Sequence, residues 1–146
     1  MSDASEFQSI VSRLPCQVFW GDCDPAGIIF YPTYFRWIDA ACWTLFESVG
    51  YGPKWMRDNH MAMPLVSAQC EFTAPAAQGD QCEVRSRIGR FGGKSFVVEH
   101  EIVRADGTVV AKGKETRVWG RYENGPGTPM KGTPIPDEVK NRFRAR

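Results

Sequence analysis

A single change of period constrains this chain most. Between residues 33 and 49 the apolar side chains Phe35, Ile38, Cys42, Leu45 and Val49 recur at steps of three and four. That spacing places them on one face of a helix. Trp37, Ala41 and Trp43 fall off that stripe, so the helix is apolar on more than one side, as a helix wrapped by a sheet or buried between two copies would be. Pro32 suits its first turn and Gly50 its stop. From residue 63 onward the period is two. Residues 63–72 read as a strand, and Cys82, Val84, Ser86 and Ile88 alternate with Glu83, Arg85 and Arg87. Residues 95–104 follow with Phe96, Val98, His100 and Ile102 on one face, Ala105-Asp106-Gly107 marks a hairpin, and 108–119 form the last long strand. A short run at 16–20 precedes the helix as a first strand. One strand, one long helix and four strands joined by short turns predict an α+β domain. Its mainly antiparallel sheet has about five strands wrapped around the helix. Such a sheet leaves edges that invite a second copy.

The 146 residues suit one domain, with residues 1–14 a loose lead-in and 121–146 a peripheral tail of loop ending in a short helix from about Asp137. A net charge of +1 lacks the electrostatic footprint of a nucleic-acid binder. No apolar run is long enough to span a membrane, and no secretory leader is visible. The five cysteines are odd in number, widely spaced and free of CxxC, which fits reduced thiols in a cytoplasmic protein. Neither His60 nor His100 lies in a ligand-type motif, so no metal site is expected.

Between the first strand and the helix lies Gly21-Asp22-Cys23-Asp24-Pro25-Ala26-Gly27-Ile28-Ile29-Phe30-Tyr31-Pro32. A carboxylate in a tight loop can act as a nucleophile or base, while N–H groups at the following helix start can polarise a carbonyl. Asp24 can equally close an Asx-turn before Pro25. Asp22 is expected to hold the loop through backbone N–H groups. Cys23, flanked by two carboxylates, is a packing residue rather than a thiolate nucleophile.

This loop, with Tyr31-Pro32-Thr33-Tyr34 and Arg36-Trp37-Ile38-Asp39-Ala40-Ala41, resembles the 4-hydroxybenzoyl-CoA thioesterase family of hotdog-fold acyl-CoA thioesterases. Lys94-Ser95-Phe96-Val97 and His100 add a weaker echo. The resemblance implies a homodimer, as a dimer of dimers, with active sites at the subunit interface. It implies hydrolysis of an acyl-CoA substrate with no separate cofactor, coenzyme A being part of the substrate. Asp24 matches the family's catalytic aspartate, and Tyr31 N–H, reached through Gly27, matches its carbonyl polariser.

For substrate binding, Phe30 and Met63 are candidates to line an aromatic acyl pocket. Asp39 falls beside the apolar stripe, on the side of the helix expected to be buried, and so needs a partner: it either faces that pocket, accepting from a ring hydroxyl, or makes a salt bridge or inter-subunit contact. Met63 stands where the family's 4-hydroxybenzoyl enzyme carries a hydroxyl-bearing residue, which leaves the acyl group open. Arg90, Lys94 and Ser95 are candidates for the coenzyme A phosphates, or else simply flank a solvated glycine hairpin. Arginines of the related enzyme are replaced by Gly92 and Gly93, so Arg117 or Arg121 are alternative phosphate contacts. His100 is expected to be a satisfied interior histidine. An aryl-CoA thioesterase of benzoyl- or hydroxybenzoyl-CoA type is the main expectation. A short-chain acyl-CoA thioesterase and a non-catalytic acyl-CoA or partner-binding module are the alternatives.

Overall fold

The computed structural model of the protein describes residues 7–146. A five-stranded antiparallel sheet carries the fold, in the order β1 (Ser12–Gln17), β4 (Gln81–Phe91), β5 (Ser95–Arg104), β6 (Val109–Val118), β3 (Leu65–Phe72). It wraps one long helix, α1 (Pro32–Glu47). The helix buries Tyr34, Trp37, Ile38, Ala41, Cys42, Leu45 and Phe46. The buried face is therefore wider than the expected stripe and turned from it: Trp37 and Ala41 are inside, while Phe35 and Val49 are only half-buried. A curved sheet covers more of a helix than a flat one, so one narrow stripe underestimates what is enclosed.

The alternation along the strands is realised as expected. Cys82, Val84, Ser86 and Ile88 face α1, as do Phe96, Val98, His100 and Ile102. Outward-facing residues pair by charge across the register, Arg85 opposite Glu101 and Arg87 opposite Glu99 on β4–β5, then Glu101 opposite Lys112 and Glu99 opposite Lys114 on β5–β6. They line a concavity of about 750 Å³ on the outer face, which includes none of the candidate site residues and whose charged walls do not suit an acyl group.

Several expectations are corrected. The first strand begins at Ser12, inside the supposed lead-in, and ends at Gln17 rather than at residue 20. Residues 1–6 of that lead-in lie outside the described residues. The chain leaves the sheet after Gln17 because Asp22 captures the Phe19 N–H on Oδ2 at 2.9 Å, folding Trp20–Asp22 into a 3-10 turn. The strand expected from residue 63 begins at Leu65. Ahead of it, α2 (Pro53–Asp58) and β2 (Met61–Ala62) were not foreseen. The tail is not loop alone. Its β7 (Gly120–Tyr122) and β8 (Met130–Gly132) form a small sheet with β2, and α3 (Asp137–Arg142) begins where expected. Nor is the tail peripheral, since Ile135, Val139 and Phe143 are buried among Leu45, Phe46 and Phe96. Phe143 lies 4.7 Å from Phe46, centroid to centroid.

Candidate active site

The site grows from the loop between β1 and α1. Asp22 is 8% exposed and ties the loop together. Besides the Phe19 N–H, it accepts Arg36 Nη2 on Oδ1 at 2.6 Å, and its carbonyl accepts the Phe30 N–H at 2.8 Å. The Thr33 hydroxyl donates to the same carbonyl at 3.3 Å. Asp22 therefore fixes the loop against the first turn of α1. Beyond it the chain doubles back: Asp24 N–H donates to Ile28 O and Gly27 N–H to Asp24 O, each at 2.9 Å. Gly27 closes this turn at φ +82°, a left-handed conformation that a side chain would resist.

Asp24 is held and open at once. Its Oδ1 accepts the Ala26 N–H at 2.8 Å, which is the Asx-turn weighed from the sequence. Among the described residues Oδ2 has no partner, and the side chain is only partly covered. Downstream, Thr33 N–H donates to Phe30 O and Tyr34 N–H to Tyr31 O, while Pro32 has no N–H to give. Among the described residues the Tyr31 N–H meets no acceptor. It is an orphan donor at the positive end of a sixteen-residue helix. A carboxylate and a free N–H on one short loop can supply a nucleophile or base together with an oxyanion contact.

Other expected residues are scattered within one chain. Phe30 and Tyr31 are exposed beside the loop, their rings 5.7 Å apart. Met63 is 3% exposed and packed in the cluster that holds Leu45, Phe46 and Trp119. Phe30 and Met63 thus do not form a common wall in a single chain. Arg90, Lys94 and Ser95 sit at the β4–β5 hairpin, closed by Gly92 N–H to Ser95 O at 2.7 Å. Arg90 and Lys94 are exposed and make no ion pair among the described residues. The hairpin and the Asp24 loop lie at opposite ends of the sheet. Phe96 and Leu65 mark the first end, both in register with Arg117, while Phe72 marks the second, opposite Ala111 and packed against Tyr34 of the first turns of α1 with ring centroids 5.0 Å apart.

Asp39 corrects one expectation. Its side chain is 59% exposed rather than buried, and the salt bridge weighed from the sequence is present, Arg117 Nη2 donating to Oδ1 at 2.8 Å. Arg117 itself is 5% exposed, with both terminal guanidinium nitrogens held inside the fold, so it is withdrawn from the phosphate candidates. Its Nη2 also donates to Glu115 Oε2 at 2.6 Å and its Nη1 to Met63 O at 2.9 Å. Behind them, His100 Nε2 meets Glu115 Oε1 and His100 Nδ1 meets Ser86 Oγ, both at 2.7 Å. His100 is the satisfied interior histidine expected. Burial alone would push the Glu115 carboxyl up, but the His100 hydrogen bond and the Arg117 charge more than reverse this and hold it below its ordinary value. Glu115 was missed, although the period of two in β6 places it and Arg117 on the face of Ala111 and Gly113. Burial also pushes the thiols of Cys16, Cys70 and Cys82 up to about 11, so these are packing groups and not thiolates.

A family model described as the thioesterase-like superfamily matches residues 18–143. The chain belongs to that superfamily. This thioesterase-family chain is 33% identical over 111 residues to the 4-hydroxybenzoyl-CoA thioesterase of Pseudomonas sp. strain CBS-3, which covers 70% of this chain and 78% of that one. The solved structure of that enzyme superposes with a TM-score of 0.80 at 28% identity, over 90% of this chain and 98% of the other. A solved gentisyl-coenzyme A thioesterase is 34% identical with a TM-score of 0.77, over 88% and 99%. The 1,4-dihydroxy-2-naphthoyl-CoA hydrolase of Synechocystis sp. strain PCC 6803 is 28% identical over 101 residues, 62% of this chain and 66% of its own. The fold is thus the hotdog fold, and the protein is a thioester hydrolase. Among the described residues no helix of this thioesterase-family protein is long and apolar enough to cross a membrane.

Proposed function

We propose that the protein hydrolyses aryl-CoA thioesters, with Asp24 and the Tyr31 N–H as its chemical centre. The observation that carries this is the open carboxylate oxygen of Asp24 on the loop that presents the unpaired Tyr31 N–H. The acyl carbonyl oxygen accepts from Tyr31 N–H, whose hydrogen bond strengthens as negative charge develops. Asp24 then either attacks the acyl carbon, giving a mixed anhydride that water opens, or takes a proton from water that attacks directly. Both routes form the free acid and release coenzyme A as its thiol, the second proton coming from water. No further cofactor enters either route. Relatives named for hydroxybenzoyl, gentisyl and dihydroxynaphthoyl esters support an aromatic acyl group.

The complete site takes two copies. β3 is an eight-residue edge strand with no proline and with Leu65, Val66 and Phe72 exposed, whereas the opposite edge, β1, carries Pro15 and Arg13. Proline and charge discourage pairing at an edge. Antiparallel pairing of β3 with β3 would set the Leu65 end of one copy against the Phe72 end of the other. The Asp24 loop of one copy would then approach the Met63, Asp39 and Lys94 end of its partner, where the partner's hairpin could meet the coenzyme A phosphates.

The test is hydrolysis of 4-hydroxybenzoyl-, benzoyl- and a short-chain acyl-CoA, followed by thiol release, for the wild type and Asp24→Asn. We expect the aryl esters to be preferred and Asp24→Asn to lose at least about a hundredfold in kcat. Near-normal turnover by Asp24→Asn would remove Asp24 from the mechanism, and a preference for the short-chain ester would replace the aryl assignment.

A further inference from the structure

We infer that Arg36 is a positioning residue for the Tyr31 N–H, acting through Asp22 and Thr33 to aim that donor at the acyl carbonyl. This rests on the aryl-CoA function proposed above and extends it to a residue that holds the chemical centre from behind.

A donor stabilises an oxyanion best when its direction is fixed before the charge develops. The Tyr31 N–H shares one planar peptide unit with the Phe30 carbonyl and points the opposite way. Whatever holds Phe30 therefore aims the N–H. Phe30 is held at both of its backbone groups. Its N–H donates to Asp22 O at 2.8 Å, and its carbonyl accepts the Thr33 N–H at 2.9 Å. The two holders are tied to each other, because the Thr33 hydroxyl donates to Asp22 O at 3.3 Å. Three hydrogen bonds thus close a triangle around the peptide unit that carries the free donor. Asp22 and Thr33 are both buried, which keeps water from competing for these bonds.

Thr33 is fixed by the helix it begins, but Asp22 lies outside that helix and needs a tie of its own. Arg36, three residues after Thr33 on α1, supplies it. Its Nη2 donates to Asp22 Oδ1 at 2.6 Å, while the Phe19 N–H donates to Oδ2 at 2.9 Å. A carboxylate beside a helix start ordinarily caps the free N–H groups there. In this protein both carboxylate oxygens are engaged elsewhere, which leaves the Tyr31 N–H to a substrate. The Arg36 side chain is 66% exposed, and ion pairs made by exposed side chains add little to stability. Among the described residues no second acceptor meets its guanidinium. Stability gives Arg36 little to do, whereas the direction of one N–H depends on the residue it grips.

The experiment measures steady-state hydrolysis of 4-hydroxybenzoyl-CoA, with thermal melts, for the wild type, Arg36→Ala, Arg36→Lys and Tyr31→Pro, and for each Arg36 variant combined with Tyr31→Pro. Arg36→Ala is also assayed with guanidinium chloride added below the onset of unfolding. We expect Arg36→Ala to lower kcat about tenfold, a fraction of what losing the donor itself costs, with KM within about threefold of wild type and melting close to it. Arg36→Lys keeps the charge without the planar fork and should fall between the two. Added guanidinium should restore part of the kcat of Arg36→Ala and leave the wild type unchanged. In Tyr31→Pro no N–H remains to be aimed, so removing Arg36 there should cost at most about twofold more. A purely structural ion pair would instead cost the same factor in both backgrounds. A kcat for Arg36→Ala within about twofold of wild type, or a tenfold loss that persists in Tyr31→Pro, overturns the inference while leaving the proposed function standing. The lysine variants give the same comparison if the alanine variants do not fold. A wild type inert toward the ester overturns both.

Discussion

Replacing Tyr31 by proline removes one hydrogen atom from the proposed chemistry and little else. Tyr31 has φ −58°, inside the range that a pyrrolidine ring imposes. Its N–H makes no hydrogen bond among the described residues, so none is broken. Its ring is 61% exposed, so little packing is lost with the side chain. Proline at a compatible position stabilises a fold by roughly 0.4–1 kcal/mol through the unfolded chain, so Tyr31→Pro should melt close to the wild type. Its effect on turnover should be far larger. Loss of one oxyanion donor is worth about 3–4 kcal/mol, or roughly 10²–10³ in kcat. Tyr31→Ala is the control, since it loses the ring and keeps the N–H. The assay is steady-state thiol release from an aryl-CoA ester, with thermal melts of all three proteins. The reasoning requires Tyr31→Pro to fall at least about a hundredfold below Tyr31→Ala in kcat. Equal rates in the two variants, with both folded, would refute it. A Tyr31→Ala loss as large as that of Tyr31→Pro would place the effect in the ring instead.

Two further outcomes are expected. The Glu115 carboxyl is held below its ordinary 4.5 in the folded protein, so its contribution to stability is fully present above that value and is lost as pH falls through the lower folded value. The melting temperature of the wild type should therefore drop more steeply below pH 4.5 than that of Glu115→Gln, and parallel curves would show that Glu115 is not the group responsible. Val66 is 64% exposed on the open β3 edge, and Val66→Lys places a charge where a second copy is proposed to pair. Light scattering should show a smaller species than the wild type, with activity reduced along with it. An unchanged mass would move the subunit contact away from β3.

The parts of the site that were legible in the sequence owe their form to local chemistry. Asp22, Asp24, Gly27 and Pro32 act within a dozen residues of one another, through turns and a helix start whose rules are written in residue type. The long strands were legible because a sheet with one covered face imprints a period of two, as Cys82 to Ile88 show. The small sheet was not, because β2 is two residues long and exists only through its pairing with Arg121 and Gly120, far along the chain. Phe143 was assigned to the periphery because one aromatic in a polar tail has no periodicity to reveal its burial. Asp39 was placed on the covered side because the stripe through Phe35 and Val49 was set slightly off the true face. The buried line from Ser86 to Arg117 stayed hidden for a different reason. A charged residue in a strand reads as solvent-facing, and only the register that brings His100 beside Ser86 and packs Glu115 between His100 and Arg117 shows that each charge has its answer.

The two edges of the sheet have a consequence for how far assembly can run. β1 is blunted by Pro15 and Arg13, while β3 is long and bare. A chain with two open edges can recruit neighbours without end, which is the route to fibres. A chain with one can accept a single neighbour, and if that neighbour is its own copy, both open edges are used up in the same event. Growth through the sheet then stops at two, and catalytic centres built across that seam come in pairs.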